Sequence, residues 1–104
     1  MNKYSYVFVR KDISVPDQMV QVGHVCMEAG KKFRQPKGTH LILLEVEDSV
    51  GLGIVVMLCG MMRIRYFLFY EPDEDMKYTA LCTEPVSKSQ KDVFKSFKLW
   101  RNNG

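Results

Sequence analysis

Two almost unbroken apolar runs, Tyr4 to Arg10 (YSYVFVR) and Thr39 to Val46 (THLILLEV), constrain this chain more than any other feature. A strand with one wet face alternates apolar and polar residues. A run without alternation, rich in Tyr, Val, Phe, Leu and Ile, is the pattern of a strand covered on both faces. The segments that follow each run carry helix signals. Ser14 is placed to cap a helix, with Asp17 three residues on as the acid of a capping-box-like start. Pro16 suits the first turn, where its missing N–H is no loss. Gly30 is placed to end that helix, with Lys31 and Lys32 at its negative C-terminal end.

A second helix is expected from a cap at Asp48 or Ser49 to about Met62. Its signals conflict. Gly51, Gly53, Gly60 and the β-branched run Ile54-Val55-Val56 lower helix propensity. A crossover of this length between two strands is usually helical, and that decides for helix. Arg65 to Tyr70 (RYFLFY) and Lys77 to Glu84 (KYTALCTE) read as a third and a fourth strand, joined by a turn from Glu71 to Asp75 that contains Pro72. Pro85 stops the fourth strand. Ser87 to Phe97 reads as an amphipathic helix, with Val93, Phe94 and Phe97 opposite Lys88, Lys91, Lys95 and Lys98, and Leu99 and Trp100 anchor the tail. The expected class is α/β, in the order β-α-β-α-β-β-α, as one domain over residues 1–104.

Composition narrows the function classes. Three cysteines, Cys26, Cys59 and Cys82, are an odd number with no two closely spaced. That argues against a disulfide framework or a cysteine zinc site, and for reduced thiols in a cytoplasmic protein. The first ten residues lack the length and cleavage site of a signal peptide. The apolar stretch from Val50 to Met62 ends at Arg63, short of the roughly 20 residues that span a bilayer, so no membrane partner is expected. His24 and His40 are the only histidines, and nothing in the spacing supplies further metal ligands. P-loop, GxGxxG, HExxH, EF-hand and GxSxG patterns are missing.

A net charge of +3 is too mild to imply nucleic acid. Its distribution says more. Lys31, Lys32, Arg34 and Lys37 form one basic segment; Lys88, Lys91, Lys95, Lys98 and Arg101 form another. The acids gather in Glu45-Glu47-Asp48 and Glu71-Asp73-Glu74-Asp75. Solvated loops and a solvated helix face are the plain alternative.

The first helix is apolar nearly all round and is therefore expected to be mostly buried. Asp17, Gln21, His24 and Glu28 interrupt it in one line, at steps of four, three and four residues. Strand ends and helix starts of an α/β sheet converge on one rim. There Gln21 and His24 would meet Glu71, Asp73 and Thr79. A histidine, a carboxylate, a hydroxyl and an amide together can position a water and polarise a carbonyl. The other reading of the same residues is structural: Gln21 and His24 satisfy buried backbone groups, and Asp73 shapes a turn.

At these residues the chain resembles the type-2 peptidyl-tRNA hydrolase family, especially its short phage and bacterial relatives. Val7-Phe8-Val9-Arg10-Lys11-Asp12 is similar to the family's opening strand and Arg-x-Asp corner. Val20-Gln21-Val22-Gly23-His24 is similar to its Gln-x-x-His segment. Glu71-Pro72-Asp73 with Thr79-Ala80 is similar to the Glu-Pro-Asp…Thr-Ala pattern of the short relatives. The resemblance covers nearly the whole chain. It implies a four-stranded mixed sheet flanked by helices, a homodimer, and no metal or organic cofactor. It implies cleavage of the ester joining a peptide to the terminal ribose of tRNA. Asp73 would be the base or water-orienting acid, with His24, Gln21 and Thr79 orienting water and substrate. Lys11, Asp12 and Glu71 would bind substrate at the corner, and Lys31, Lys32, Lys91 and Lys95 would hold the RNA backbone.

The chain departs from the family in two respects that bear on activity, the first being that the Asp-Ala-Gly-x-Thr-Gln run of the longer members is absent. The lysine at the start of the family's first helix is matched by Asp17, and residues 13–16 hold no lysine. An ammonium there would stabilise a developing oxyanion or an RNA phosphate. Three readings therefore stand: an active hydrolase, a pocket that binds RNA, a nucleotide or a small ligand without cleaving it, and a protein-interaction module. Val50, Leu52, Ile54, Val55, Val56, Met57, Leu58, Met61 and Met62 cover all faces of the second helix, so self-association through its outer face is expected. Gly51, Gly53 and Gly60 would let the paired backbones approach.

Overall fold

The computed structural model describes residues 3–87, 90 and 92–101. The first apolar run is β1 (Lys3–Arg10) and the second is β2 (Thr39–Val46), paired in parallel from Lys3 opposite Thr39 to Arg10 opposite Val46. Between them runs α1 (Val15–Lys32). After β2 come α2 (Ser49–Met61), β3 (Tyr66–Glu71), a 3-10 turn at Asp73–Asp75, β4 (Lys77–Thr83), a 3-10 turn at Asp92–Phe94 and β5 (Lys98–Leu99). The sheet order is β3-β4-β1-β2-β5, with β1 in the middle. It is a mixed sheet: β4 is antiparallel to both neighbours and β5 is antiparallel to β2.

The unbroken apolar character of β1 has its cause here, because its two faces serve two cores. Val7 and Val9 pack with Val25, Ala29 and Phe33 under α1. Tyr6 and Phe8 pack with Leu52, Val55 and Phe94 under α2 and the Asp92–Phe94 turn. Ser14 caps α1 and accepts from the Asp17 N–H at 3.2 Å; its hydroxyl donates to the Asp17 carboxylate at 2.8 Å. The helix does not end at Gly30. It runs to Lys32, because Phe33 is buried and its N–H closes a last turn on the Ala29 carbonyl at 2.8 Å. Nor is α1 mostly buried. Its inward strip is Gln18, Gln21, Val25 and Ala29, and Met19, Val20 and Met27 are exposed. One helix lying on one sheet face hides only a narrow strip of its circumference.

The Asp48 carboxylate caps α2, accepting from Val50 N and Gly51 N at 3.1 and 3.2 Å. The backbone approach made by Gly51 is internal to the chain: a Cβ there would stand 2.8 Å from Val46 Cβ. Gly53 and Gly60 face open space. Gly51 therefore fits α2 over β2, whereas Gly53 and Gly60 lie on the exposed face of α2.

The C-terminal expectation is corrected. Lys88, Ser89 and Lys91 lie outside the described residues. Residues 92–94 form a 3-10 turn where an α-helix was expected, and β5 adds a fifth strand, giving five strands and two α-helices among the described residues in place of four and three. Phe94 is buried against Tyr6 and Phe8, at ring distances of 4.9 and 5.1 Å, and a tight turn delivers it there. Lys98 and Leu99 then pair with Glu45 and Leu44, covering an otherwise open edge of β2. Trp100 crosses that edge, and its Nε1–H donates to Gln18 Oε1 at 2.7 Å. No described helix is long and apolar enough to cross a membrane.

Candidate functional site

β1, β2 and β3 run in one direction, since β1 and β3 are both antiparallel to β4. Their C-terminal ends share one rim, and α1 and α2 start there. This upper rim gathers Asp12, Gln21, Glu71, Asp73 and Thr79.

Thr79 reaches the site through a break in the β3–β4 register. Phe69 pairs with Ala80 and Tyr70 with Tyr78, which leaves Thr79 as the extra residue of a bulge. Regular alternation would turn Thr79 away from the α1 side that its neighbour Ala80 faces. The bulge turns it back. Its hydroxyl donates to Gln21 Oε1 at 2.7 Å, and Gln21 Nε2 donates to Glu71 Oε2 at 3.1 Å. Thr79 is 0% and Gln21 2% exposed, so the relay is closed to water up to its carboxylate end. The other Glu71 oxygen accepts from the Asp73 N–H at 3.3 Å. The Gln21 bond, then the Asp73 N–H, then the nearby His24 imidazole hold the Glu71 carboxyl below the usual carboxylate range. His24 is exposed and stacks on Phe69, with ring centroids 5.1 Å apart and planes 6° from parallel. Also on α1, the Cys26 thiol interacts with that of Cys82, which holds the pKa of the first below its ordinary value and pushes that of the second up.

The turn that carries Asp73 is strained. Glu74, Asp75 and Lys77 have φ of 55°, 58° and 64°, in the left-handed region that non-glycine residues avoid. Arg10 holds this turn in place. Its Nη1 donates to the carbonyls of Met76 at 2.6 Å and Tyr78 at 3.1 Å. The other side of its guanidinium grips Asp12 at 2.8 and 2.9 Å, and this bond lowers the Asp12 pKa. Asp12 is thus committed to Arg10. The sequence marked Arg10 only as part of an Arg-x-Asp corner; its hold on the Asp73 turn was not readable there.

The remaining candidates lie elsewhere. Lys11 turns toward β2 and pairs with Glu47 at 3.0 Å and Glu45 at 3.5 Å. Lys31 and Lys32 end α1, which is about 27 Å long, at the opposite rim; Lys31 pairs with Glu28 and Lys32 lies over Phe67. Lys95 is exposed beside Phe94, on the α2 side of the sheet. Lys91 is outside the described residues. The basic segments therefore do not converge on Asp73. Carboxylates do: Asp12, Asp17, Glu45, Glu47, Asp48, Glu71, Asp73, Glu74 and Asp75, nine of the chain's twelve acids, lie at the upper rim.

Sequence reading also missed Arg63 and Arg65, which stand beside Lys32 at the lower rim. Helices that leave one rim of a sheet end at the other. Basic residues at the ends of two such helices were a readable sign that they meet. The chain matches no protein-family model and no curated protein sequence.

Proposed function

We propose that the chain is a hydrolase of the peptidyl-tRNA hydrolase kind, cleaving the ester between a peptide and the terminal ribose of tRNA. One observation carries the reading: the closed Thr79–Gln21–Glu71 relay on a strained turn, with exposed Asp73 and His24 at its open end. In this mechanism the Asp73 carboxylate accepts a proton from a water as that water attacks the ester carbonyl. The ribose oxygen leaves and takes up a proton. Gln21 and Thr79 act as positioning residues that hold Glu71, and Glu71 holds the Asp73 backbone. A positioned general base contributes typically 10²–10⁴-fold to rate. The site needs no cofactor in this scheme, and the substrate places its work in the cytoplasm.

The deciding experiment is release of labelled peptide from peptidyl-tRNA by the purified protein beside Asp73→Asn. A fall of about 100-fold or more in the variant supports the proposal. Equal rates in both proteins, or no release above the uncatalysed blank, overturn it.

The acids favour a second reading, a pocket that binds without cleaving. Nine carboxylates repel a polyphosphate, and Asp17 occupies the position of the family's lysine. Tight binding of a small uncharged or cationic ligand at this rim, with no peptide release, supports that reading.

We also propose a homodimer formed through α2. Val50, Ile54, Met57 and Met61, at spacings of four, three and four, form an exposed apolar stripe opposite buried Leu52, Val55 and Cys59. Met57 is 58% exposed. Sedimentation at micromolar concentration should show a dimer that Met57→Asp dissociates without unfolding. A strict monomer ends this part of the proposal.

A further inference from the structure

The lower rim carries a cavity of its own. A cavity of about 490 Å³ opens between the C-terminal ends of α1 and α2, lined by Lys32, Phe33, Arg63, Ile64, Arg65 and Tyr66. That volume is in the range of small-ligand pockets. Its three cations face one carboxylate. Glu84 accepts from Arg65 N at 2.8 Å and from Arg65 Nε at 3.3 Å. Among the described residues Lys32 and Arg63 have no ion pair. Two helix C-termini end nearby, and together they supply roughly one negative charge. Three cations exceed Glu84 and that charge combined, so the cavity stays positive. The surrounding rim adds Lys3, Lys31, Arg34 and Lys37, and Glu28 offsets Lys31.

The backbone at Arg63 is an independent observation. Ile64 N–H bonds the Cys59 carbonyl at 2.9 Å and Arg63 N–H the Gly60 carbonyl at 3.3 Å, the two bonds of a Schellman ending. Arg63 is the left-handed residue of that motif, with φ 55°. Glycine is the usual occupant. An arginine held there against its backbone preference presents a side chain with no carboxylate partner at the mouth of a cavity.

The rest of the lining is planar or apolar. The Arg65 guanidinium lies 5.4 Å from the Phe33 ring centroid, and Tyr66 and Ile64 complete the wall. Phosphate is met by guanidinium and ammonium groups, and a base by aromatic rings and the guanidinium plane. We propose that this cavity binds a nucleoside phosphate, either free or as one unit of a single-stranded nucleic acid. The site stands apart from the Asp73 rim, and either reading can fail without the other.

The test is fluorescence anisotropy of the full chain with a labelled oligouridylate of roughly ten nucleotides, a length within single-strand site sizes. Arg63→Gly and Lys32→Gln are compared with Lys77→Gln, which removes the same charge at the upper rim. Binding should weaken about tenfold in each of the first two, as for loss of a charge-assisted contact, and stay within twofold in Lys77→Gln. Affinity should fall with salt at a log–log slope near −0.7 per phosphate engaged. Arg63→Gly should melt no lower than the parent, since glycine suits its backbone, so lost binding there is not lost folding. Uridine monophosphate as competitor separates the sources: displacement identifies the free nucleotide as the ligand, and retention identifies the strand. Equal weakening by all three variants, an unchanged affinity in Arg63→Gly, or equal binding of polyglutamate overturns the proposal.

Discussion

The two rims of this sheet are built in opposite ways. The upper rim holds nine carboxylates, three left-handed non-glycine residues in one turn, and a closed hydrogen-bonded relay. The lower rim holds seven cations (Lys3, Lys31, Lys32, Arg34, Lys37, Arg63 and Arg65), one left-handed non-glycine residue and an open cavity. Eight-residue strands separate them by about 26 Å. At ordinary ionic strength the Debye length is about 8 Å, so neither rim neutralises the other at that distance. The difference teaches that this fold keeps its acidic, hydrogen-bonded turn and its cationic cavity at opposite ends of one sheet.

The largest expected effect tests what holds the upper rim. Arg10 is 14% exposed at its side chain and makes four hydrogen bonds, two to carbonyls of the strained turn and two to Asp12. Arg10→Met removes them all and leaves carbonyls and a carboxylate unpaired. Unfolding by urea should show a loss of about 3 kcal/mol, within the range for stripping one partner from a charged network. Peptide release should fall with it. A loss under about 1 kcal/mol means that the turn holds its own shape, and the contrast between a clamped rim and an open one disappears.

Next in size is the relay. Gln21→Leu keeps the side-chain volume near its present value but leaves the Thr79 hydroxyl without an acceptor and Glu71 Oε2 without its Gln21 donor. One buried unsatisfied hydroxyl costs about 1–3 kcal/mol. The same substitution should change the response to acid. Because the Glu71 pKa is lowered in the folded chain, its contribution to stability is fully present above its unfolded value, near 4.3, and is lost as pH falls through the folded value. The gap between the parent and Gln21→Leu should therefore be widest above about pH 4.3 and should narrow, as pH falls through the folded value of Glu71, to the pH-independent cost of the Thr79 hydroxyl. A constant gap at every pH shows that the relay is only packing.

Sequence legibility follows the same division. β1, β2 and both helix caps were readable because each rests on residues adjacent in sequence: the unbroken apolar runs, Ser14 with Asp17, and Asp48 before Gly51. Gln21, His24, Glu71 and Thr79 could be assigned to one rim because element order alone decides which ends meet. What was not readable depends on partners distant in the chain. The Thr79 bulge is set by pairing with β3, and β5 by the unpaired edge of β2. Gly30 is a helix stop by local preference, overridden by the burial of Phe33. Lys31 and Lys32 were read as residues that hold the tRNA backbone beside the site. Their distance from Asp73 emerges only from the length and direction of α1.

The smallest expected effect sharpens the comparison most, because its sign is in question. The upper-rim turn has Arg10 to hold its left-handed residues, whereas Arg63 has only the two Schellman bonds of its own backbone. A left-handed conformation costs a non-glycine residue roughly 1–2 kcal/mol. Glycine removes that cost but gives the unfolded chain back about 0.5–1 kcal/mol of conformational freedom. Arg63→Gly should therefore leave stability level or raise it by up to about 1 kcal/mol, which is at most about 4–8 °C in Tm for a domain of this size. Asp75→Gly, at a φ of 58°, is the matching change on the other rim. Asp is among the residues that tolerate the left-handed region best, so its relief should be smaller than that at Arg63. Paired urea melts of the two variants read the difference directly. A destabilised Arg63→Gly would mean that the arginine side chain supports the fold itself. The lower rim would then be a structural end of the sheet, and its charge would no longer count as evidence of a ligand.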